Sequence, residues 1–149
     1  MHNYHKRIYT PINPQKYEGN PTNIIMRSSW ETKFAIWCDN NPAIIKWSSE
    51  EVVIPYRCPT DSKIHRYFLD FKITVKTKDK KTKTYLIEVK PAAQTAPPKF
   101  PGRRTKRYLT ESMTFMKNQA KWKAASEWAK DRGWEFKILT EYDLGIKAK

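Results

Sequence analysis

The sequence predicts a single α/β domain in which helices flank a mixed β-sheet. Its 149 residues suit one domain of ordinary size. Apolar and polar residues alternate over residues 66–90, which indicates two strands joined by a turn, with one apolar and one polar face. A helical pattern at 110–132 then precedes a strand at 134–140, and this order favours parallel pairing of the last strand with an earlier one.

The N-terminal part of the chain is expected to differ from the rest. Residues 1–27 are predicted to form an irregular arm, because three prolines and a glycine punctuate a polar segment. The α/β domain is expected to span residues 28–149. It begins with a helix, since Ser28 and Glu31 have the spacing of a capping box. Residues expected to face the core from the 110–132 helix include Met113, Met116, Ala120, Ala124 and Trp128.

The charge of the chain indicates the class of partner. Twenty-nine Lys and Arg residues face fifteen Asp and Glu residues, giving a net charge of +14. Such a surface attracts polyanions and predicts salt-sensitive binding that depends little on sequence. Nucleic acid is favoured over an anionic membrane, because no basic amphipathic helix stands out. No apolar run is long enough to cross a membrane, and the N-terminus does not resemble a secretory signal.

The cysteine and histidine pattern suggests no additional chemistry. Cys38 and Cys58 lack metal-type spacing, and we expect them to be reduced thiols in an intracellular protein. His65 has no partner histidine nearby, so a structural or exposed position is expected. The sequence indicates no serine or cysteine nucleophile paired with a base, and no glycine-rich phosphate loop.

The predicted hairpin places two acidic residues opposite each other. Its turn centres near Asp79, with Asp70 nine residues before that centre and Glu88 nine residues after it. In this register their Cβ atoms would lie about 5 Å apart on one face. Lys90 follows Glu88 by two residues and therefore shares that face.

Two acidic residues directly opposite each other are unusual on a solvated strand face. At an effective dielectric near 20, two carboxylates about 5 Å apart repel by roughly 3 kcal/mol. A hard divalent cation such as Mg²⁺ would turn this repulsion into binding, and Lys90 could then steady a phosphate oxygen or an attacking water. The alternative, a solvated strand face that happens to carry two acids, remains open.

These residues resemble a known motif. The pattern of Leu69 and Asp70, followed after seventeen residues by Glu88, Val89 and Lys90, resembles the PD-(D/E)XK nuclease motif, with leucine where proline is common. RSSWE, at 27–31, resembles the helix motif of TnsA-like transposon endonucleases. Longer segments are similar to the head completion proteins of T-even-type phages: PTNII, EEVVIPYR, HRYFLDF, LIEVKP, QAKWKAA and RGWEFKILTE.

The resemblance implies a restriction-endonuclease-like fold and DNA cleavage that depends on Mg²⁺, with Mn²⁺ as a substitute. It implies that Glu31 joins Asp70 and Glu88 in the acidic site, although the capping box alone explains Ser28 and Glu31. It adds the Val89 carbonyl as a metal ligand and Gln119 as a neighbour of the catalytic lysine. It also implies action on packaged DNA in maturing phage heads, with head, portal or neck proteins as partners. The implied location is the host cytoplasm during assembly, with the virion head or neck as a second place.

Basic residues suggest where DNA would bind. The proline-rich segment 91–108 follows Lys90 directly and is expected to form a basic flap over the backbone, rather than an ordinary solvated loop. Other candidates lie on the helix after it or share the strand parity of Asp70. The candidate DNA contacts are Arg66, Lys72, Arg103, Arg104, Lys106, Arg107, Lys121 and Lys123.

Two functions of different classes therefore remain. The first is a metal-dependent DNA nuclease. The second is a non-catalytic DNA-binding or head-plugging protein that keeps a nuclease-like fold. Replacing Asp70 by Asn distinguishes them, because only a nuclease has cleavage to lose. The sequence gives no indication of the oligomeric state.

Overall fold

The computed structural model describes residues 7–147, which form eight strands and two α-helices. Two short 3₁₀ helices, Pro14–Lys16 and Ala92–Thr95, lie in the connections. The strands and α-helices, in chain order, are β1 (Arg7–Tyr9), β2 (Ile24–Met26), α1 (Ser29–Asn40), β3 (Ile44–Ser49), β4 (Val53–Arg57), β5 (Ile64–Phe68), β6 (Phe71–Lys76), β7 (Thr82–Val89), α2 (Lys106–Asp131) and β8 (Glu135–Leu139).

The main sheet is mixed, which confirms the predicted fold class. Its order is β3-β6-β7-β8, with β7 and β8 parallel and the other pairs antiparallel. One core, around Phe34, Trp47 and Phe71, packs against α1, while Leu86 and Trp122 belong to a second core against α2. The hairpin face predicted to be polar is therefore covered by a helix. Within residues 7–147, no helix is long and apolar enough to cross a membrane.

The prediction of an irregular N-terminal arm is wrong for the residues that the structure describes. β1 and β2 pair antiparallel, and Tyr17, Ile24 and Met26 are buried in the core with Phe34. Composition alone misled the prediction because β1 and β2 are only three residues long, too short for a strand period to stand out. The segment from residue 7 to 27 thus belongs to the same packing unit as the rest, while residues 1–6 lie outside the described part.

Asp39, near the end of α1, holds this N-terminal segment in place through hydrogen bonds. It is 1% exposed, and its Oδ2 accepts hydrogen bonds from the Tyr9 hydroxyl and the Ile12 amide, both at 2.7 Å. The Asn13 amide donates to Oδ1 at 3.0 Å. Burial opposes the charge, but these hydrogen bonds outweigh it and lower the pKa of Asp39.

Replacing Asp39 by Ala should lower the unfolding free energy by about 3 kcal/mol, because three donors would lose a charged acceptor inside the protein. Urea denaturation monitored by tryptophan fluorescence measures this change. Asp131→Ala, at an exposed position at the end of α2, is the matched control and should change stability by less than about 0.5 kcal/mol. Equal effects of the two substitutions would contradict the anchoring role.

The strand predicted over residues 66–75 is interrupted. β5 ends at Phe68 and pairs with β4 in a separate two-stranded sheet, whereas β6 begins at Phe71 in the main sheet. The interruption leaves Leu69 and Asp70 between two sheets. Burial still alternates through it, which is why the sequence pattern appears continuous.

The second helix also differs from its prediction. It begins at Lys106 rather than 110, with the Thr105 hydroxyl accepting from the Tyr108 amide as an N-cap. Met113 and Met116 are 48% and 49% exposed, so they do not face the core. The buried residues of α2 are Asn118, Trp122, Ala125 and Ala129, and the predicted Ala120, Ala124 and Trp128 are partly buried beside them. Gly133 follows the helix with a φ of +74°, a conformation that glycine adopts without strain.

Candidate active site

Asp70 and Glu88 meet where the main sheet ends. The β6–β7 register pairs Phe71 with Ile87, so the next position places Asp70 opposite Glu88. Their equal spacing from the turn in the sequence predicts this pairing. Asp70 Oδ2 accepts a hydrogen bond of 2.8 Å from the Val89 amide. Its own carbonyl accepts one of 3.1 Å from the Glu50 amide. These backbone contacts fix Asp70 although it lies outside any strand.

Glu88 is held by two donors from other elements. The residue is 5% exposed, and its Oε2 accepts from the Tyr67 hydroxyl at 2.6 Å and the Trp122 indole at 3.3 Å. Both donors come from elements that pack over the end of β7, namely β5 and α2. Oε1 is the oxygen that these donors leave for another ligand.

The electrostatics of Asp70 show that carboxylates crowd together here. Burial raises its pKa most, and the charge of Glu88, a hydrogen bond between the two side chains and the charge of Glu31 raise it further. The Val89 amide opposes this shift only in part. In the absence of a cation, the folded protein therefore favours a proton at this position.

Glu31 is buried near the same site. The Ser28 hydroxyl accepts from the Glu31 amide and donates to its Oε2, both at 3.2 Å, which confirms the predicted N-cap of α1. Its Oε1 is buried without a hydrogen-bond partner. Burial raises the pKa of Glu31, the Ser28 hydrogen bond lowers it, and the charge of Glu50 raises it again. Helix capping accounts for the contact of Glu31 Oε2 with Ser28, but it does not account for the burial of Oε1.

The donor set suits a hard cation. Glu88 Oε1, Asp70 and the Val89 carbonyl are oxygen donors, and Mg²⁺ prefers oxygen ligands while keeping several waters. The N–H and C=O of a strand residue point to the same side, so the Val89 carbonyl shares the side on which its amide meets Asp70. The oxygens of Glu31, Asp70 and Glu88 do not all lie within 4.8 Å of one another, so Glu31 stands further out than the other two.

The family of the chain follows from its sequence. Residues 41–141, about two thirds of the chain, match the model of the TnsA-like endonuclease N-terminal domain. The chain belongs to this family. It is also similar to the head completion nuclease of Enterobacteria phage T4, with 44% identity over 140 residues that cover 91% of each chain. No solved structure matches it.

The TnsA-like match contains Asp70, Glu88 and Lys90 but begins after Glu31. Lys90 is half-buried directly after β7, and its amide donates to the Leu139 carbonyl at 2.9 Å. The lysine thus leaves the sheet at the same end as the two carboxylates.

Lys121 is a second cation near Glu88 and Lys90. Its Nζ lies 5.6 Å from the centre of the Tyr67 ring and 6.0 Å from that of Tyr56. Burial lowers its pKa most, while the charge of Glu88 raises it and that of Lys90 lowers it. Lys121, predicted as a surface phosphate contact, is therefore half-buried among the site residues.

Gln119 and Lys123 lie on another face of α2. Both line a groove of about 470 Å³ together with Thr95 and Trp122. Gln119 is exposed, and no hydrogen bond joins its side chain to Lys90 in the described part of the chain. It is separated from Glu88 by Trp122, whose indole touches both regions.

The remaining predicted DNA contacts differ in whether their side chains are exposed or engaged within the protein. Arg66 is exposed on β5, with its guanidinium 5.6 Å from the centre of the Phe68 ring. Lys72 is engaged within the protein, because its Nζ lies 4.7 Å from the Trp134 ring centre and 3.7 Å from Glu18. The basic cluster, defined as Arg103, Arg104, Lys106 and Arg107, is exposed.

The segment before α2, which carries Arg103 and Arg104, lies along this helix, whereas Lys106 and Arg107 belong to its first turn. Ala93, Pro98 and neighbouring residues enclose a cavity of about 310 Å³ against the first half of the helix. The Phe100 and Tyr108 rings meet edge to face with centres 5.3 Å apart. Arg107 pairs with Glu111 at 2.8 Å, whereas the other three cations of the cluster form no ion pair with any residue between 7 and 147.

Sequence reasoning missed Tyr67 and Glu50. Tyr67 has the parity of the apolar face, but the interruption after Phe68 turns β5 out of the main sheet and brings the Tyr67 hydroxyl to Glu88. Glu50 follows β3 with a φ of +55° and pairs with Arg27 at 2.9 Å. A strained non-glycine conformation beside a site is a structural signal that no sequence period carries.

Proposed function

We propose that this chain is a Mg²⁺-dependent DNA nuclease of the PD-(D/E)XK type that processes the packaged DNA end during phage head completion. One observation carries the proposal: Asp70 lies opposite the buried Glu88 in a site that raises the pKa of Asp70, and Lys90 leaves the sheet beside them. A solvated strand face with two accidental acids would not bury Glu88 to 5% exposure.

Asp70, Glu88 and the Val89 carbonyl are the groups that would hold the cation. Glu31, with its unsatisfied Oε1, would act from further out. Mg²⁺, or Mn²⁺ in its place, supplies Lewis acidity toward a phosphate oxygen and lowers the pKa of a bound water when present. Side chains of the protein would bind the phosphate and orient the water.

The lysines define the side from which a phosphate would enter. Lys90 and Lys121 are near enough for the charge of each to affect the other. A phosphodiester between them would be held by two cations while a water, oriented by Lys90, attacks phosphorus. The bond from phosphorus to the leaving oxygen would break, and the proton lost by the water would end on that oxygen. Proximity to Tyr67 and Tyr56 limits the movement of Lys121. Lys121 is therefore better suited to orient a phosphate at the site than to attract DNA from a distance.

DNA would be gripped over a wider area. The net charge of +14 and the exposed basic cluster favour contacts with the phosphate backbone. Arg66 and Lys123 would extend these contacts on either side of the site, with Gln119 beside Lys123 in the groove. The likeness to a head completion nuclease of a phage supports DNA as substrate and head, portal or neck proteins as partners. Action would then take place in the host cytoplasm during assembly, or in the virion head or neck.

Incubating the purified protein with linear, branched and single-stranded DNA tests the proposal. Cleavage is expected with Mg²⁺ or Mn²⁺ and not with EDTA, and the ranking of substrates would indicate the DNA structure preferred. The competing function, a DNA-binding plug without chemistry, predicts salt-sensitive binding to all three DNAs and no cleavage with any metal.

Tyr67→Phe should lower cleavage by about 10- to 100-fold with little change in DNA affinity, because Tyr67 orients a residue that holds the cation. Single-turnover cleavage at several Mg²⁺ concentrations measures this, and higher Mg²⁺ should restore part of the loss. Tyr56→Phe is the matched control, since the hydroxyl of Tyr56 makes no hydrogen bond to Glu88. An equal loss in both variants would show that the Tyr67 hydroxyl has no special part.

A further inference from the structure

A second group of ligating side chains lies at the tip of the β4–β5 hairpin. Cys58 follows β4, Asp61 lies in the turn and His65 lies in β5. The Cys58 sulfur, a carboxylate oxygen of Asp61 and a ring nitrogen of His65 all lie within 4.8 Å of one another. The cysteines lack metal-type spacing in the sequence, but strand pairing brings Cys58 together with Asp61 and His65, which the spacing does not reveal.

The fold of the hairpin explains why these three side chains converge. β4 and β5 pair Tyr56 with His65, and the Cys58 amide extends the ladder to the Lys63 carbonyl at 2.8 Å. Tyr56 and Cys58 are both buried and alternate with exposed Arg57, so Cys58 points to the same face as Tyr56 and its partner His65. Asp61 is held under this face by the turn.

Polar contacts already organise the group. His65 Nε2 lies 2.7 Å from Asp61 Oδ2, and the Lys63 amide donates to Asp61 Oδ1 at 2.9 Å. The Cys58 sulfur lies 3.1 Å from the Thr60 hydroxyl. An ion pair of His65 and Asp61 alone would not require a buried thiol in the same cluster.

We propose that Cys58, Asp61 and His65 bind one Zn²⁺ ion at the tip of the hairpin. Thiolate, imidazole and carboxylate together suit Zn²⁺, whereas Mg²⁺ prefers oxygen ligands alone. Bond lengths of about 2.0–2.3 Å place the ligand atoms of a tetrahedral site about 3.3–3.8 Å apart. No pair of these atoms would have to close by more than about 1.5 Å, and His65 Nε2 and Asp61 Oδ2, which lie 2.7 Å apart, would have to separate to admit the ion. Rotation of the two side chains allows both changes, because Asp61 is exposed and His65 half-buried.

The bound ion would fix the hairpin beside the active site. Three protein ligands leave a fourth position for water. Among the described residues, no hydrogen bond or ion pair joins Cys58, Asp61 or His65 to Asp70, Glu88 or Lys90, so the expected role of the ion is structural. β4 and β5 carry Tyr56 and Tyr67, which pack around Lys121 and Glu88. A zinc ion that joins the two strands at their turn would limit the movement of both tyrosines.

Cobalt titration of the full, reduced and metal-free chain tests this proposal. One equivalent of Co²⁺ should produce the sulfur-to-metal charge-transfer absorption and the visible bands of a four-coordinate ion, and one equivalent of Zn²⁺ should remove them. Cys58→Ser should abolish the charge-transfer band. His65→Gln and Asp61→Asn should weaken Co²⁺ binding by at least about tenfold.

Two control variants separate this site from the rest of the protein. Cys38→Ala removes the other thiol and should keep the band, and Glu88→Gln alters the proposed nuclease site and should also keep it. If Cys58→Ser fails to fold, the His65 and Asp61 variants decide, because they replace less buried side chains. No charge-transfer band in the wild-type protein, or a band unchanged by the His65 and Asp61 substitutions, would overturn the zinc site.

Discussion

Glu88→Gln should reduce metal-dependent DNA cleavage by about 10³-fold while DNA affinity stays the same or rises. Glutamine has the shape of glutamate and can still accept the hydrogen bonds from Tyr67 and Trp122. It lacks the negative charge that would bind the cation together with Asp70. The loss should therefore come from chemistry, with little effect on the fold. Single-turnover cleavage and DNA binding, measured on the same samples, separate the two effects.

Lys90→Ala should show a loss of similar size, and it tests the other half of the site. Its matched control is Lys78→Ala, which removes the same charge from the exposed hairpin turn. Because general attraction to DNA depends on net charge, the two lysine variants should bind DNA alike and differ only in cleavage. Glu127→Gln, on the exposed surface of α2, is the control for Glu88. Cleavage that survives in both site variants would refute the proposed active site.

The second large effect concerns stability in the absence of metal. Burial and the charges of Glu88 and Glu31 raise the pKa of Asp70 above its ordinary value of 3.8. At a pH between 3.8 and the raised pKa, the folded protein therefore holds a proton on Asp70 that the unfolded chain has already lost. Folding is favoured while that proton is bound, so in EDTA the unfolding free energy should fall as the pH rises from 5 to 8.

Asp70→Asn should remove this part of the pH dependence. In EDTA at pH 8 it should raise the unfolding free energy by at least about 1 kcal/mol, although it abolishes cleavage. Urea denaturation at pH 5 and pH 8, with Asp131→Asn as the control, measures the effect. Mg²⁺ should stabilise the wild type more at pH 8 than at pH 5, because it binds the ionised carboxylates. The same pH slope in wild type and Asp70→Asn would contradict the assignment.

The sequence was informative where structure follows a local period. Alternation on both sides of Asp79 determined the register that places Asp70 opposite Glu88, and Ser28 and Glu31 marked the start of α1. A helix followed by a strand predicted the parallel pairing of β8. Each of these features depends on residues close in the chain, or on a hairpin whose ends are tied by one turn.

Other parts of the site depend on contacts that no local pattern contains. The interruption at Leu69 keeps the burial alternation, so the sequence could not show that Tyr67 belongs to a different sheet from Phe71. Met113 has the spacing of a core residue, but its side chain is exposed on the first half of α2. No sequence pattern singled out Glu50, which becomes a neighbour of Asp70 only through the path of the chain after β3.

The interruption between β5 and β6 has a consequence for how the protein loses activity. The β4–β5 hairpin pairs only with itself and packs on α2, so it can open while the four-stranded sheet remains folded. Such an opening would carry Tyr67 away from Glu88 and leave most of the basic surface intact. Mild denaturant should then produce a compact form that still grips DNA but no longer cuts it, and amide hydrogen exchange in this hairpin should report the fraction of molecules able to act.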